Sequence, residues 1–161
     1  MSIEERLATL EQVEAIKTLK HRYFRACDAK DPDTFRACFI ADGADVDYGP
    51  IGGGAADADQ MAEIFRRIAL HTVDGRHVIL DMHHGTHPDI TVTGPGRASG
   101  RWTLKFRQLN MIDRTERLLA GEYDDDYVIE DGQWKMSRSR FRQLWSMVRP
   151  LGDAAVEAGD D

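Results

Sequence analysis

An α+β domain, with helices covering one face of a curved antiparallel sheet, is what the sequence predicts, and three observations carry the prediction. Apolar residues recur at helical spacing through the first third of the chain. After Gly75 the texture changes to β-branched and aromatic runs broken by turn residues. Within the clearest of those runs the apolar residues alternate, so that one face alone is apolar. At 161 residues, 42% hydrophobic and 30% charged, the chain has the size and composition of one domain with one core.

From Ile3 to Asp28, the residues Leu7, Leu10, Val13, Ile16, Leu19, Tyr23 and Cys27 recur every three or four positions, which places them on one stripe of a helix whose other faces are charged. Asp31-Pro32 then supplies an N-cap and a proline at the first helical position, opening a short helix through Phe35, Cys38 and Phe39. A first strand is expected over 44–48. Segment 49–54 is too rich in glycine for either regular state and is expected to be a loop. Asp57 or Asp59 can cap a third helix, whose Met61, Ile64, Phe65, Ile68 and Ala69 form one face. Four strands follow near 76–93, 98–112, 116–130 and 133–148, with breaks at Gly94-Pro95-Gly96, Asp113-Arg114 and Asp131-Gly132. The first is expected to be interrupted at Gly85 or Pro88. In the second, Ala98, Gly100, Trp102, Leu104 and Phe106 share the apolar face. The domain is expected to span 1–151, with 152–161 a disordered acidic tail.

Several function classes are disfavoured by composition. A net charge of −7 works against binding to nucleic acid or to an anionic membrane surface. No run approaches the about 20 apolar residues that cross a bilayer, and the N-terminal segment lacks the pattern of a signal peptide, so the expected location is the cytoplasm. Cys27 and Cys38 belong to no ligand pattern and read as reduced, packed thiols.

Asp28 is the first candidate for chemistry. It falls at the end of the first helix, where the macrodipole disfavours a carboxylate by roughly 0.3–1 kcal/mol, although a solvated aspartate in a helix-to-helix turn has the same sequence. His83, His84 and His87 are dense enough to suggest a metal. An extended backbone, however, points His83 and His84 to opposite sides and carries His87 roughly 13 Å past His83, so no metal is expected. An inward His83 beside a carboxylate suits proton transfer, or serves as a hydrogen-bonded structural histidine. Tyr48, Tyr123 and Tyr127 lie on strands, where a buried hydroxyl needs a partner, either a substrate oxygen or the neighbouring Asp125. The glycines at 52–54 lack the Lys-Ser/Thr of a phosphate loop. Arg138, Arg140, Arg142 and Arg149 are expected to pair with Asp124–Asp126 across the ladder.

Taken together, EAIKTLKHRYFRACDAKD, DVDYGP, MHHGTHPDITV, ASGRWTL and YVIEDGQWKM resemble the SnoaL-like branch of the nuclear-transport-factor-2-like superfamily over about residues 4–147. Within it the bile acid 7α-dehydratase group shares the EER start, EAIK-LK--YFR, the MH-G--P-IT block, the A-GRW strand and the DGQW turn. The resemblance implies a cone of three or four helices on a curved sheet enclosing a pocket, assembled as homotrimers or dimers with the trimer favoured, and working without metal or organic cofactor. Scytalone dehydratase and a hexachlorocyclohexane dehydrochlorinase are more distant members with an Asp/His pair. Carried over by position, the catalytic set is His83, Asp28, Tyr23 and Tyr48. Phe106, Trp102, Tyr123, Arg140 and Gln143 are the substrate-binding set. Two positions depart from the group: Phe106 stands where it has an acidic pocket residue and Gln143 where it has an arginine, which Arg140 or Arg142 could replace.

The function implied is a cofactor-independent dehydratase acting on a small apolar polycyclic substrate, such as a hydroxylated steroid with a carbonyl. His83 would move the proton and Asp28 would orient it. A ketosteroid-type isomerase of the same fold is the alternative within enzymes, separable by product mass. A non-catalytic small-molecule-binding or accessory domain is the alternative outside them, and it predicts a His83 with no carboxylate within reach.

Overall fold

Helix α1 (Ile3–Asp28) opens on a capping box: the Glu5 N–H donates to Ser2 Oγ and the Ser2 N–H donates back to the Glu5 carboxylate. The computed structural model describes residues 1–54 and 57–159. Asp31 caps α2 (Pro32–Ala37) by accepting the Thr34 N–H, as its position before Pro32 predicts. Strand β1 (Asp45–Asp47) follows, and Asp57 rather than Asp59 caps α3 (Ala58–Ala69). Beyond a two-residue hairpin, β2 (Thr72–Val73) with β3 (Arg76–His77), come four long strands. These are β4 (Ile79–Gly94), β5 (Arg97–Asn110), β6 (Thr115–Glu130) and β7 (Gln133–Pro150).

The sheet runs in the order β1-β7-β6-β5-β4, antiparallel except that β1 joins β7 in parallel. Irregularities at Thr86/Asp89, Val92/Gly94, Ala120/Gly121 and Asp126/Tyr127 curve it around the helices, since each bulge adds local twist and bend. A left-handed pair, Asp131-Gly132, makes the two-residue turn from β6 to β7. The α+β fold expected from the sequence is the one found, with helices on one face of a curved, mainly antiparallel sheet. Among the described residues no helix is long and apolar enough to cross a membrane.

Local expectations need correcting in four places. Segment Gly49–Gly52 is a turn of 3₁₀-helix, because Pro50 presets a helical φ in its first turn; Ala55 and Ala56 lie outside the described residues. Leu7 and Leu10 are exposed, as burial on α1 starts around Val13 and Ile16 and the first turns run past the core. Ile68 is likewise exposed at the edge of the α3 stripe. The first long strand is broken at Val78; of the two interruptions expected within it, that at Pro88 is found, as a bulge at His87-Pro88 where His87 has positive φ, while Gly85 lies in unbroken strand. Gly85 is needed for another reason: a Cβ there would collide with the Phe24 ring, so α1 can lie on β4 only over a glycine. At the far end, residues 151–159 have no regular structure, and the Gly152 and Ala154 carbonyls accept from Arg114; Asp160 and Asp161 lie outside the described residues.

The core lies between α1, α2 and the inner face of the sheet, built from Ile16, Leu19, Tyr23, Phe24, Phe35, Phe39, Val46, Trp102, Leu104, Tyr123, Tyr127 and Met136. In its centre Lys20 of α1 meets Asp125 of β6 at 2.8 Å, both side chains fully buried. Asp125 also accepts Ser139 Oγ at 2.6 Å and Tyr127 OH at 2.8 Å, and the Lys20 ammonium stands 3.7 Å from the Tyr123 ring centroid. Both carboxylate oxygens therefore have partners, which is what a buried carboxylate requires. The Lys20→Met variant leaves that carboxylate uncompensated and is expected to lose about 3–5 kcal/mol in urea denaturation. Lys20→Met/Asp125→Asn should recover a large part of it.

Candidate active site

Helix α1 ends in a Schellman arrangement. The Asp31 N–H donates to the Ala26 carbonyl at 2.9 Å and the Lys30 N–H to the Cys27 carbonyl at 3.3 Å, with Lys30 at φ 59° in the left-handed position. Asp28 is the last helical residue, one turn past Phe24, and its carboxylate is aimed at β4. Both of its oxygens accept the His83 backbone N–H, at 3.0 and 3.1 Å, and Oδ1 lies 2.6 Å from His83 Nδ1. These donors offset the cost of a carboxylate at the helix C-terminus. An ionised carboxylate only accepts, so Nδ1 carries the proton of that bond, and Nε2, turned away from Asp28, is the nitrogen left without a proton in the neutral tautomer.

The imidazole sits between two phenyl rings. Phe24 is stacked at 6.1 Å between centroids and Phe106 lies at 4.7 Å, directly opposite on β5. The dyad is not sealed: the His83 and Asp28 side chains are 15% and 27% exposed. Two surface clefts lie elsewhere, one along Thr18, Arg22, Arg25 and Thr34, the other along Asp33, Arg36 and Lys135. His84 turns outward, as alternation predicts.

Deeper in, hydroxyls form a chain. Tyr23 OH donates to Tyr48 OH at 2.8 Å, Tyr48 OH to Ser139 Oγ at 3.4 Å, and Ser139 to Asp125, while Tyr123 OH stands 3.5 Å from Tyr23 OH. Trp102 Nε1 donates to Tyr127 OH at 3.0 Å. The structure thus brings Asp28, His83 and Phe106 together at the helix end, and Tyr23, Tyr48 and Tyr123 together beside them, with Phe24 in ring contact with both groups. Trp102 lies under Phe24.

Arg140 and Gln143 do not join them. Arg140 alternates with the inward Ser139 and binds Asp45 and Asp47 on the outer face. Arg142 is exposed against Glu122, and Gln143 is exposed with its amide on Ser146. The expected pairing of the basic run with Asp124–Asp126 holds for Arg138, which binds Asp124 and Asp126; Arg149 binds Glu116 instead, and Asp125 faces inward.

Three charged residues near the site, Lys20, Asp81 and Lys30, escaped the sequence reading, while Asp125, expected beside the strand tyrosines, does accept the Tyr127 hydroxyl. Lys20 lies four positions after Ile16 and three before Tyr23, on the buried stripe itself. Asp125 alternates with the inward Tyr123 and Tyr127. Asp81 shares the inner face of β4 with His83, and Lys30 binds it at 2.6 Å, both about nine-tenths buried. Donor atoms of Asp28, Asp81 and His83 lie within 4.8 Å of one another, a spacing that could hold a metal ion. The ammonium of Lys30 on Asp81 and the direct Nδ1 to Oδ1 bond already engage those atoms, which makes the group a hydrogen-bonded charge cluster.

Burial keeps the interior groups protonated. Desolvation, with neighbouring phenols or Asp125 adding to it, raises Tyr23, Tyr48, Tyr123 and Tyr127 well above the ordinary phenol range. Burial also pushes up the Cys27 thiol, and that of Cys38 to about 11, so neither is a nucleophile at neutral pH. All four tyrosines of the chain are in this set. Native protein should therefore show no phenolate absorbance as pH passes about 10, where the unfolded chain ionises. Because the unfolded chain then releases protons that the native state keeps, stability should fall as pH rises beyond about 10. Spectrophotometric titration alongside thermal melts at each pH checks both.

Comparison with known structures bears on the fold. A Novosphingobium aromaticivorans protein provisionally assigned as a scytalone dehydratase superposes with a TM-score of 0.74 at 24% identity, over 91% of this chain and 97% of its own. A type 2 hexachlorocyclohexane dehydrochlorinase gives 0.77 at 17% identity, over 99% of this chain and 100% of its own. The type 3 enzyme from Novosphingobium barchaimii gives 0.72 at 17%, over 98% and 100%. At these identities the likeness is one of fold. Sequence goes further: the model of the SnoaL-like domain matches residues 8–140, most of the chain, and the protein belongs to that family.

Proposed function

We propose that the protein is a cofactor-independent dehydratase, a carbon–oxygen lyase acting on a hydroxylated steroid or a similar polycyclic carbonyl compound. The single observation that carries this is the Asp28–His83 hydrogen bond, which fixes the imidazole tautomer and leaves Nε2 free as a base between two apolar rings. His83 Nε2 takes a proton made acidic by the conjugated carbonyl. The electron pair left behind expels the hydroxyl group, which leaves with that proton as water. Asp28 holds the imidazolium during the interval.

Tyr23 and Tyr48 are the proposed hydrogen-bond donors to the developing enolate or the leaving oxygen. The long 3.4 Å donation from Tyr48 to Ser139 is the one a substrate oxygen would displace, whereas Tyr23, whose single proton lies on Tyr48 at 2.8 Å, donates to substrate by releasing that bond. Phe106, opposite His83, makes the floor apolar and suits a hydrocarbon skeleton. The bile acid 7α-dehydratase resemblance supports a steroid. The names of two structural relatives, which denote loss of water and loss of hydrogen chloride, support an elimination. With Arg140 held on the outer face, recognition rests on shape and hydroxyl donors rather than on a fixed cation. The proposal extends to a cytoplasmic homotrimer, supported by free Cys27 and Cys38 and by the exposed Leu144, Trp145, Met147 and Val148 at the end of β7.

Incubation with a 7α-hydroxy-3-oxo-4-ene steroid should yield product lighter by one water in mass spectrometry. His83→Ala and Asp28→Asn should each lower kcat/KM by about 10²–10⁴-fold. Unchanged turnover in both variants defeats the mechanism, and a product of unchanged mass identifies an isomerase instead.

A further inference from the structure

Lys30 breaks a local rule. It occupies the left-handed position after the helix end, φ 59°, which glycine adopts without strain and a lysine does not. Its side chain is folded inward, with the ammonium 2.6 Å from Asp81 and both groups nearly buried. Local rules broken without a local gain mark functional positions.

The gain lies in what Asp81 adjoins. It is two residues before His83 on the same face of β4, and its donor atom is within 4.8 Å of those of Asp28 and His83. Two carboxylates at that spacing, unneutralised, would hold a proton on the imidazole between them and compete for its Nδ1–H. The charged and titratable groups around His83 come from three directions. From α1 and the turn after it come Asp28, the buried Cys27 thiol and Lys30; from its own strand comes Asp81; from β5 come only the neutral Phe106 and Gln108.

We propose that Lys30 and Asp81 are positioning residues for the dyad: the ammonium neutralises Asp81, so that Asp28 alone bonds the imidazole and Nε2 stays unprotonated. Its consequence for turnover rests on the dehydratase reading; its effect on His83 does not. Asp81 in turn draws Lys30 into its strained position and ties the helix end to β4. The cluster as a whole carries one negative charge with His83 neutral and none with His83 protonated, so that proton uptake at the base is charge-balanced without solvent ions.

The test uses the full chain labelled with ¹⁵N-histidine, with the His83 ring nitrogens followed by NMR across pH. Lys30→Gly should keep His83 doubly protonated to higher pH by about one unit or more, because an unpaired anion then lies beside it. Lys30→Arg should restore the wild-type titration, and Lys30→Gly/Asp81→Asn should return it to within a few tenths of a unit. Melting temperatures separate this from a purely structural role. The double variant, freed of both the strained lysine and the isolated carboxylate, should melt no lower than wild type. A His83 titration unmoved in Lys30→Gly, or moved and not reversed by Asp81→Asn, overturns the proposal. Should Lys30→Gly fail to fold, Asp81→Asn alone decides, since it should shift the His83 titration to lower pH; no shift overturns the proposal. A shifted titration in a protein with no dehydration of the steroid supports the proposal and counts against the dehydratase reading.

Discussion

The buried Lys20–Asp125 ion pair is the constraint on which the rest of the structure depends. Taking two charges out of water costs several kcal/mol per ion before their attraction is counted, so such a pair adds little to stability compared with apolar residues of the same volume. What it supplies here is an unambiguous register. With Asp125 inward, period-two alternation sends Gly121, Tyr123 and Tyr127 inward as well and leaves Asp124 and Asp126 to Arg138 outside. A slip of one residue would bury two unpaired carboxylates and expose both tyrosines. On the helix side, Lys20 fixes the rotation of α1 about its axis. Tyr23, Phe24 and Cys27 then face the sheet, and Asp28 reaches the edge of it.

The same pair organises the interior hydroxyls. Asp125 accepts from Ser139 and Tyr127, so Ser139 spends its one proton on the carboxylate and can only accept from Tyr48. Tyr48 then accepts from Tyr23. Proton donation runs in one direction, from the helix end toward the middle of the sheet. Outside, the contacts of Arg138 with Asp124 and Asp126 and of Arg142 with Glu122 are largely exposed and individually worth at most about 1 kcal/mol, while Arg149 covers the buried Glu116. They are surface complement to a structure whose register is set from within.

Sequence periodicity made the framework legible: α1, α2, α3 and the four long strands follow directly from apolar spacing and turn residues, and the Asp31 and Asp57 caps were readable by position. Asp28 and His83 were also legible, as a costly helix-end carboxylate and an inward-facing strand histidine. Lys20 and Asp81 were not, because charge is read as exposure, and the stripe containing Lys20 was drawn through Leu19 instead; Asp125 was read as a neighbour of the tyrosines, but not as the partner of a buried lysine. Period alone would have flagged them, since each shares a face with recognised inward residues. Lys30 needed the backbone: nothing in the sequence says that a lysine will take the place of a C-terminal glycine. Gln143 holds the aligned position of the group's arginine and Arg140 was its possible substitute, but alternation from the buried Ser139 turns Arg140 outward.

The position of the dyad follows from β4 being the last strand of the sheet. An edge strand presents N–H groups without ladder partners, and the His83 N–H is one of them, taken by the Asp28 carboxylate instead of by water. A residue whose N–H points away from the neighbouring strand is in a non-hydrogen-bonded pair with the residue opposite, where side chains approach most closely. That residue is Phe106, and its ring is accordingly the nearest to the imidazole. One carboxylate thus closes the sheet edge, ends the helix and selects the imidazole tautomer. The geometry of the edge strand, in turn, dictates that the imidazole is flanked by an apolar ring. Protection of the edge and orientation of the imidazole are one interaction here, so a change that frees Asp28 from His83 removes both.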